Sequence, residues 1–280
     1  MKVTGNKILE YLGIAFVILI VLAVLVMGLN FLLNPTPSVV PRTSSGAIEA
    51  DSNVVTINNQ VVEKDNYVAA GLAAMWHFNG DTFDSSGNGL DGQATSVNYI
   101  DGMWGKKAIN FNGNGYIKVE NNSLLNFAPK QGFTIALWVK YSPKENSTIL
   151  SKMDTNTNSV GFGVYTKQSS EVSLKLADGE KVVYDASIPS TASNYHFLVY
   201  SVDHFGNCQR FIDGKLVEKD LCSLVEGVDF TNTSPLYIGA NFDGVNTNNY
   251  FTGSIQDLSI WRRPLSATEV KEMYDNTLAK

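Results

Sequence analysis

The stretch FDSSGNGLDG, residues 83–92, places Asp84, Ser86, Asn88 and Gly89 within one tight turn. Oxygens at the first, third and fifth positions of such a turn fall on one side of it, and glycine permits the bend. That is the chemistry of a calcium ligand set. It is equally the chemistry of an Asx turn, in which the aspartate accepts hydrogen bonds from its own backbone. The twelfth position of an EF-hand loop would need a bidentate glutamate and here is Thr95, so an EF-hand is excluded.

Cys208 and Cys222 are the only two cysteines, and they flank an Asp213-Gly214 turn. A plain two-residue hairpin would set Cys208 opposite Lys219, so a bulge or longer loop is needed to join them. Outside a reducing compartment they are expected to be bridged; two buried free thiols are the alternative. His77, His196 and His204 are too scattered for a metal set, and the first two fall in strand patterns and read as structural. No G-x-S-x-G, H-E-x-x-H or phosphate-binding loop is present. Glycoside hydrolysis needs two carboxylates across a cleft. Glu218-Lys219-Asp220 comes nearest but lies on one hairpin arm without a third acid, so catalysis is not expected. Of the four tryptophans, Trp76 and Trp138 read as core. Trp104, in the turn DGMWGK, and Trp261, near the last helix, are the candidates for stacking on a sugar. Asn121, Asn146 and Asn232 begin N-x-S/T sequons.

The net charge is −6 with no basic cluster, which argues against a nucleic-acid partner. Residues Tyr11 to Leu33 form an uncharged apolar run. As a helix at 1.5 Å per residue it would reach roughly 34 Å, enough to cross a bilayer. No A-x-A site follows it, so an uncleaved anchor is expected over 1–33 rather than a removed signal. Lys2 and Lys7 precede the run, which places the N-terminus inside and the bulk of the chain extracytoplasmic, at the cell surface. Within MKVTGNKILE, Gly5 precedes Glu10 by five residues, directly ahead of the apolar run. This resembles a type IV pilin leader over 1–5, with cleavage after Gly5 and the acid of Glu10 pairing with a neighbouring subunit; self-assembly is what that resemblance implies. Polar Asn6 and Lys7 and the early prolines depart from it, and a plain anchor is the other reading.

Residues 34–68 form a Pro/Ser-rich linker and spacer, in which VVTI-NN-QVVE suits a small hairpin and equally a plain spacer. From residue 69 to 280, short β-prone runs alternate with turns. FTIALWVKY alternates with both faces apolar, the mark of a central strand covered on both sides. RFI-DG-KLV is a hairpin with a type I′ turn. Ser266 and Glu269 form a capping box ahead of one C-terminal helix.

The run GLAAMWHFNGDTFDSSGNGLDGQATSVNYIDGMWGKKAINFNGNGYIKV, followed in order by FTIALWVKY, RFIDGKLV, PLYIGANF and FTGSIQDLSIWRRPLSATEV, resembles a LamG-like domain of the concanavalin A-like superfamily. The resemblance covers about Gly71 to the C-terminus. It implies an all-β, two-sheet antiparallel jelly-roll sandwich over 69–280. It implies a glycan or a cell-surface protein as ligand, bound at loops or on a concave face. It also implies a calcium near DSSGN, completed by an acid of the last strand. Here that set would be Asp84, Asn88 and Asp257, with neutral Asn79 and Gln256 where relatives often carry acids, so binding of Ca2+ would be weak.

Overall fold

The protein, seen in a computed structural model, is described over residues 54–57, 60–63, 69–142, 147–153, 159–167, 170–190 and 193–278. The chain divides into units Met1–Ser52 and Asn53–Lys280. The expected anchor, the leader residues Gly5 and Glu10, and Asn146 all lie outside the described residues. Among the described residues no helix is long and apolar enough to cross a membrane.

Of the two readings of VVTI-NN-QVVE the hairpin is the one found: β1 (Val54–Ile57) runs antiparallel to β2 (Gln60–Glu63). The strands that follow are β3 (Leu72–Trp76), β4 (Gln93–Thr95), β5 (Asn98–Asp101), β6 (Lys107–Asn112), β7 (Tyr116–Val119), β8 (Phe133–Tyr141), β9 (Ser147–Met153), β10 (Gly161–Lys167), β11 (Glu171–Ala177), β12 (Val182–Pro189), β13 (His196–Val202), β14 (Asn207–Ile212), β15 (Lys215–Leu221), β16 (Leu236–Ile238), β17 (Asn241–Phe242), β18 (Thr247–Asn248) and β19 (Thr252–Trp261). One sheet has the order β12-β11-β10-β9-β16-β7-β4. The other has the order β15-β14-β13-β8-β19-β6-β5, with β3 also paired to β19. Sequence-distant strands thus become neighbours, and two antiparallel sheets pack as a sandwich.

β8 shows why the sheets face as they do. Phe133, Ile135, Leu137 and Val139 point between the sheets, where Phe133 stacks on Phe127 at 4.4 Å. Each such side chain stabilises the fold by about 1.5–3 kcal/mol on burial. Ala136 and Trp138 point outward into a second, smaller core with Phe197, Val199, Phe211 and Trp261. The helix α1 (Ala267–Leu278) lays Val270 and Met273 on that outer face, and Tyr274 stacks on Trp138 at 5.7 Å. Its N-terminus is capped as expected: Ser266 N–H donates to Glu269 Oε2 at 2.8 Å, and Glu269 N–H donates to Ser266 Oγ at 3.3 Å.

A bulge in β19 sets what the outer face shows. Ser254 and Gln256 lie opposite Lys140 and Trp138, but beyond the bulge Ser259 lies opposite Ala136. Asp257, at φ +52°, takes up the extra residue. The phase of the strand is thereby reset, and Trp261 joins the outer core beneath α1 instead of the inner one.

Candidate functional site

The outer face of the eight-stranded sheet has two halves. One is the apolar half under α1. The other is polar, and the register shows how it is built. Asn98 stands opposite Asn110, Asn110 opposite Ser254, and Ser254 opposite Lys140. Extending the β8–β13 register by one residue sets Tyr195 opposite Lys140. These residues form one row across five strands, roughly 19 Å at the usual strand spacing of about 4.8 Å. A second row begins with Asn112 opposite Thr252.

The rows floor a cleft of about 570 Å³, lined among others by Asn110, Asn112, Lys140, Tyr195, Thr252 and Ser254. Its amides are ordered by one another. Asn110 Nδ2 donates to Asn98 Oδ1 at 3.2 Å and to Asn112 Oδ1 at 2.7 Å, and Asn112 Nδ2 donates to Asn98 Oδ1 at 3.2 Å. The Tyr195 hydroxyl donates to Ser254 Oγ at 2.7 Å. Because β8 lies between β13 and β19, this bond draws the ring across β8. Partial burial raises the pKa of the Tyr195 phenol, which keeps it protonated as a donor. An aromatic ring beside ordered amides and hydroxyls is the usual build of a site for a polar, partly apolar ligand.

The alternation that makes this face is in the sequence. Asn110 and Asn112 alternate with Ile109 and Phe111, and Lys140 follows the apolar Ala136 and Trp138 on the outer face of β8. What the sequence does not reveal is that β5, β6, β19 and β8 are neighbours, so none of these residues was singled out from it.

The expected site residues fare differently. Trp261 is fully buried beneath α1, so it has no ring face to offer a sugar; the bulge at Asp257 turns it to the outer face, under the helix. Trp104 stays partly exposed in its turn, at φ +55°, and packs edge-on to Trp138 at 5.1 Å. Asp84 Oδ1 accepts the N–H groups of Met75 and Ser86 at 3.0 and 2.9 Å, and its Oδ2 accepts Leu90 N–H and Ser86 Oγ at 2.9 and 2.8 Å. Asn88 Nδ2 donates to the carbonyls of Leu72 and Ala73. The loop is therefore stitched to β3. β3 and β19 do lie side by side, but Asp257 pairs with His77 at 2.6 Å. Both carboxylates thus already have protein partners. Among the described residues no three His, Cys, Asp or Glu side chains form a metal-binding group.

Cys208 and Cys222 are joined in a disulfide, with Cα atoms 5.9 Å apart. A bulge between Arg210 and Phe211 moves Cys208 opposite Asp220 rather than Lys219. The chain then curls back so that Cys222 N–H donates to Gly206 O at 2.6 Å. The turn itself is as expected, with Asp213 and Gly214 at φ +50° and +73°. Asp220 binds Arg210 at 2.8 Å, with Glu218 4.0 Å from the same guanidinium. Asn232 is buried, its amide nitrogen donating to Val160 O at 2.9 Å, so its sequon is closed to modification in the folded protein.

A family model described as the concanavalin A-like lectin/glucanases superfamily matches residues 111–271. Among solved structures, the chain is similar to the binding domain of Paraclostridial Mosquitocidal Protein 1, at TM-score 0.62 and 21% identity over 75% of this chain and 53% of that one. It is similar to the binding domain of Botulinum neurotoxin DC, solved with rat synaptotagmin II, at TM-score 0.58 and 15% identity over 75% and 52%. It is also similar to domain 4 of AbnA, a GH43 extracellular arabinanase from Geobacillus stearothermophilus solved with arabinotriose, at TM-score 0.54 and 21% identity over 72% and 98%. The chain spans about half the length of the two toxin domains. At these identities the likeness shows the fold.

Proposed function

This chain belongs to the concanavalin A-like lectin/glucanases superfamily, and on that premise we propose that it is a non-catalytic recognition module whose ligand is a glycan seated in the polar cleft. The observation that carries this is the cross-strand row Asn98–Asn110–Ser254–Lys140, with the Tyr195 ring laid beside it. Amides and hydroxyls satisfy sugar hydroxyls, and the ring covers an apolar sugar face. The similar arabinanase domain was solved with a trisaccharide, which supports a glycan on this fold. Hydrolysis would need two free carboxylates across the cleft. The nearest sequence candidates, Glu218 and Asp220 of β15, instead share Arg210 of β14.

A protein ligand is the second reading. Phe205, Leu221 and Leu224 are exposed by 65%, 83% and 59% around the end of the hairpin that the disulfide closes, and the similar neurotoxin domain was solved with a protein partner. We place the module at the cell surface behind a membrane anchor at Tyr11–Leu33. The disulfide supports a compartment outside the reducing cytosol. A pilin-like filament subunit displaying the sandwich is the alternative arrangement.

The test is a glycan array probed with the detergent-purified full chain and with its Asn110→Ala and Tyr195→Ala variants. Binding to a defined set of glycans that both variants lose supports the reading. No glycan bound, or binding that both variants keep, would sink it.

A further inference from the structure

Among the described residues Lys140 is the one basic side chain lining the cleft, and it is exposed between Ser254 and Tyr195 in the polar row. The residues around it in the two rows, Asn110, Asn112, Thr252, Ser254 and Tyr195, are neutral. The one acid of the lining, Asp101, is already neutralised by Lys107 at 2.6 Å. Among the described residues no carboxylate pairs with Lys140. The cleft therefore carries one uncompensated positive charge among hydrogen-bonding groups. The chain as a whole is at −6, so its long-range field does not gather anions, and any preference for one must arise locally.

We infer that the ligand of this cleft is an acidic glycan, one bearing a sugar carboxylate, and that Lys140 sets this specificity by binding the carboxylate. The inference rests on the reading of the cleft as a glycan site. The register supplies the geometry. Ser254 stands directly opposite Lys140, and Asn110 directly opposite Ser254. Ser254 is itself buried and holds the Tyr195 ring, so a ligand that rests on Tyr195 and reaches the Asn110 amide passes over Lys140, which stands between them in the row. An ammonium on a flexible stem is a point charge with three donors, suited to a single carboxylate that approaches from solvent.

The experiment is calorimetric titration of the detergent-purified full chain with two matched pairs of probes: oligogalacturonate against its methyl ester, and sialyllactose against its methyl ester. Within each pair the carboxylate is the principal difference. A preference of about tenfold for the acid is expected, the size of one charge-assisted hydrogen bond. The preference should shrink as salt is raised. Lys140→Gln should erase it, bringing the acid's affinity to that of its neutral partner, and Lys140→Arg should retain most of it. A preference within either pair supports the assignment and identifies whether the acid is uronic or sialic. Equal binding of acid and neutral partner in both pairs, or a preference that survives Lys140→Gln, overturns the inference while the glycan-site reading stands. No binding of any of the four probes overturns the inference, and if the array is also blank the glycan-site reading falls with it.

Discussion

The hydroxyl of Tyr195 donates a 2.7 Å hydrogen bond to Ser254 Oγ, joining the lead-in to β13 with β19 across the intervening β8. The bond fixes where the ring lies; the ring itself makes the platform. These two contributions separate by mutation. Tyr195→Phe keeps the ring and loses the bond, and glycan affinity is expected to fall only a few-fold, as one neutral hydrogen bond contributes about 1 kcal/mol. Tyr195→Ala removes the platform and should abolish measurable binding with the melting temperature nearly kept. Unchanged affinity in the alanine variant would show that the ring is not part of the site.

The disulfide between Cys208 and Cys222 closes a hairpin with a sequence separation of 14. A loop of this size contributes about 3 kcal/mol in the chain-entropy description. Non-reducing mass spectrometry of membrane-derived protein should show the pair linked. Reductant, or the double serine variant, should lower the melting temperature by several degrees. A melting curve indifferent to reductant would mean that the bridge adds little.

Asp84 holds its loop against β3 through four accepted hydrogen bonds. Removing the carboxylate leaves donors of Met75, Ser86 and Leu90 without that acceptor, at a cost on the order of 1–3 kcal/mol. Asp84→Ala should therefore lower the melting temperature by the same amount in chelator and in millimolar calcium. A rise in the wild-type melting temperature with calcium that Asp84→Ala abolishes would instead make Asp84 a metal ligand.

The N-terminal proposals separate by one measurement. A membrane anchor leaves a mature chain that begins at Met1. A pilin-type leader is cut after Gly5 and leaves Asn6 first, with Glu10 as the fifth residue. Edman or mass-spectrometric sequencing of the mature protein is expected to find Met1; Asn6 would favour the filament subunit.

How much of this was legible depended on range. The Asp213-Gly214 turn was readable because both positions demand φ > 0 and the residues tolerate it. The two-faced strand β8 and the Ser266–Glu269 cap are local patterns too, and both appear as read. Bulges were not readable. The one at Arg210 shifts the partner of Cys208 by one residue, and the one at Asp257 sends Trp261 under α1, away from any ligand. Neither carries a residue type that marks it. The cleft was the least legible feature, because Asn98, Asn110, Ser254 and Lys140 become neighbours only through a strand order that crosses the chain from residue 98 to residue 254.

Glu269 links the C-terminal helix to pH. Its carboxylate accepts from Arg263 at 2.6 Å and from Ser266 N–H and Oγ at 2.8 and 2.9 Å. The Arg263 contact, followed by the Ser266 bonds working against partial desolvation, lowers its pKa to about 2. The unfolded chain would titrate near the ordinary glutamate value, about 4.3. The folded pKa is the lower one, so the stabilising contribution is complete above about 4.3 and is lost as pH falls toward 2. The pair is partly exposed, so the gain is modest and weakened by salt. Glu269→Gln should therefore melt below the wild type at pH 7 and converge with it by pH 2. Since α1 covers Trp138, Phe197 and Trp261, tryptophan fluorescence should report the same change. A constant gap between variant and wild type across that range would mean that Glu269 acts through shape rather than charge.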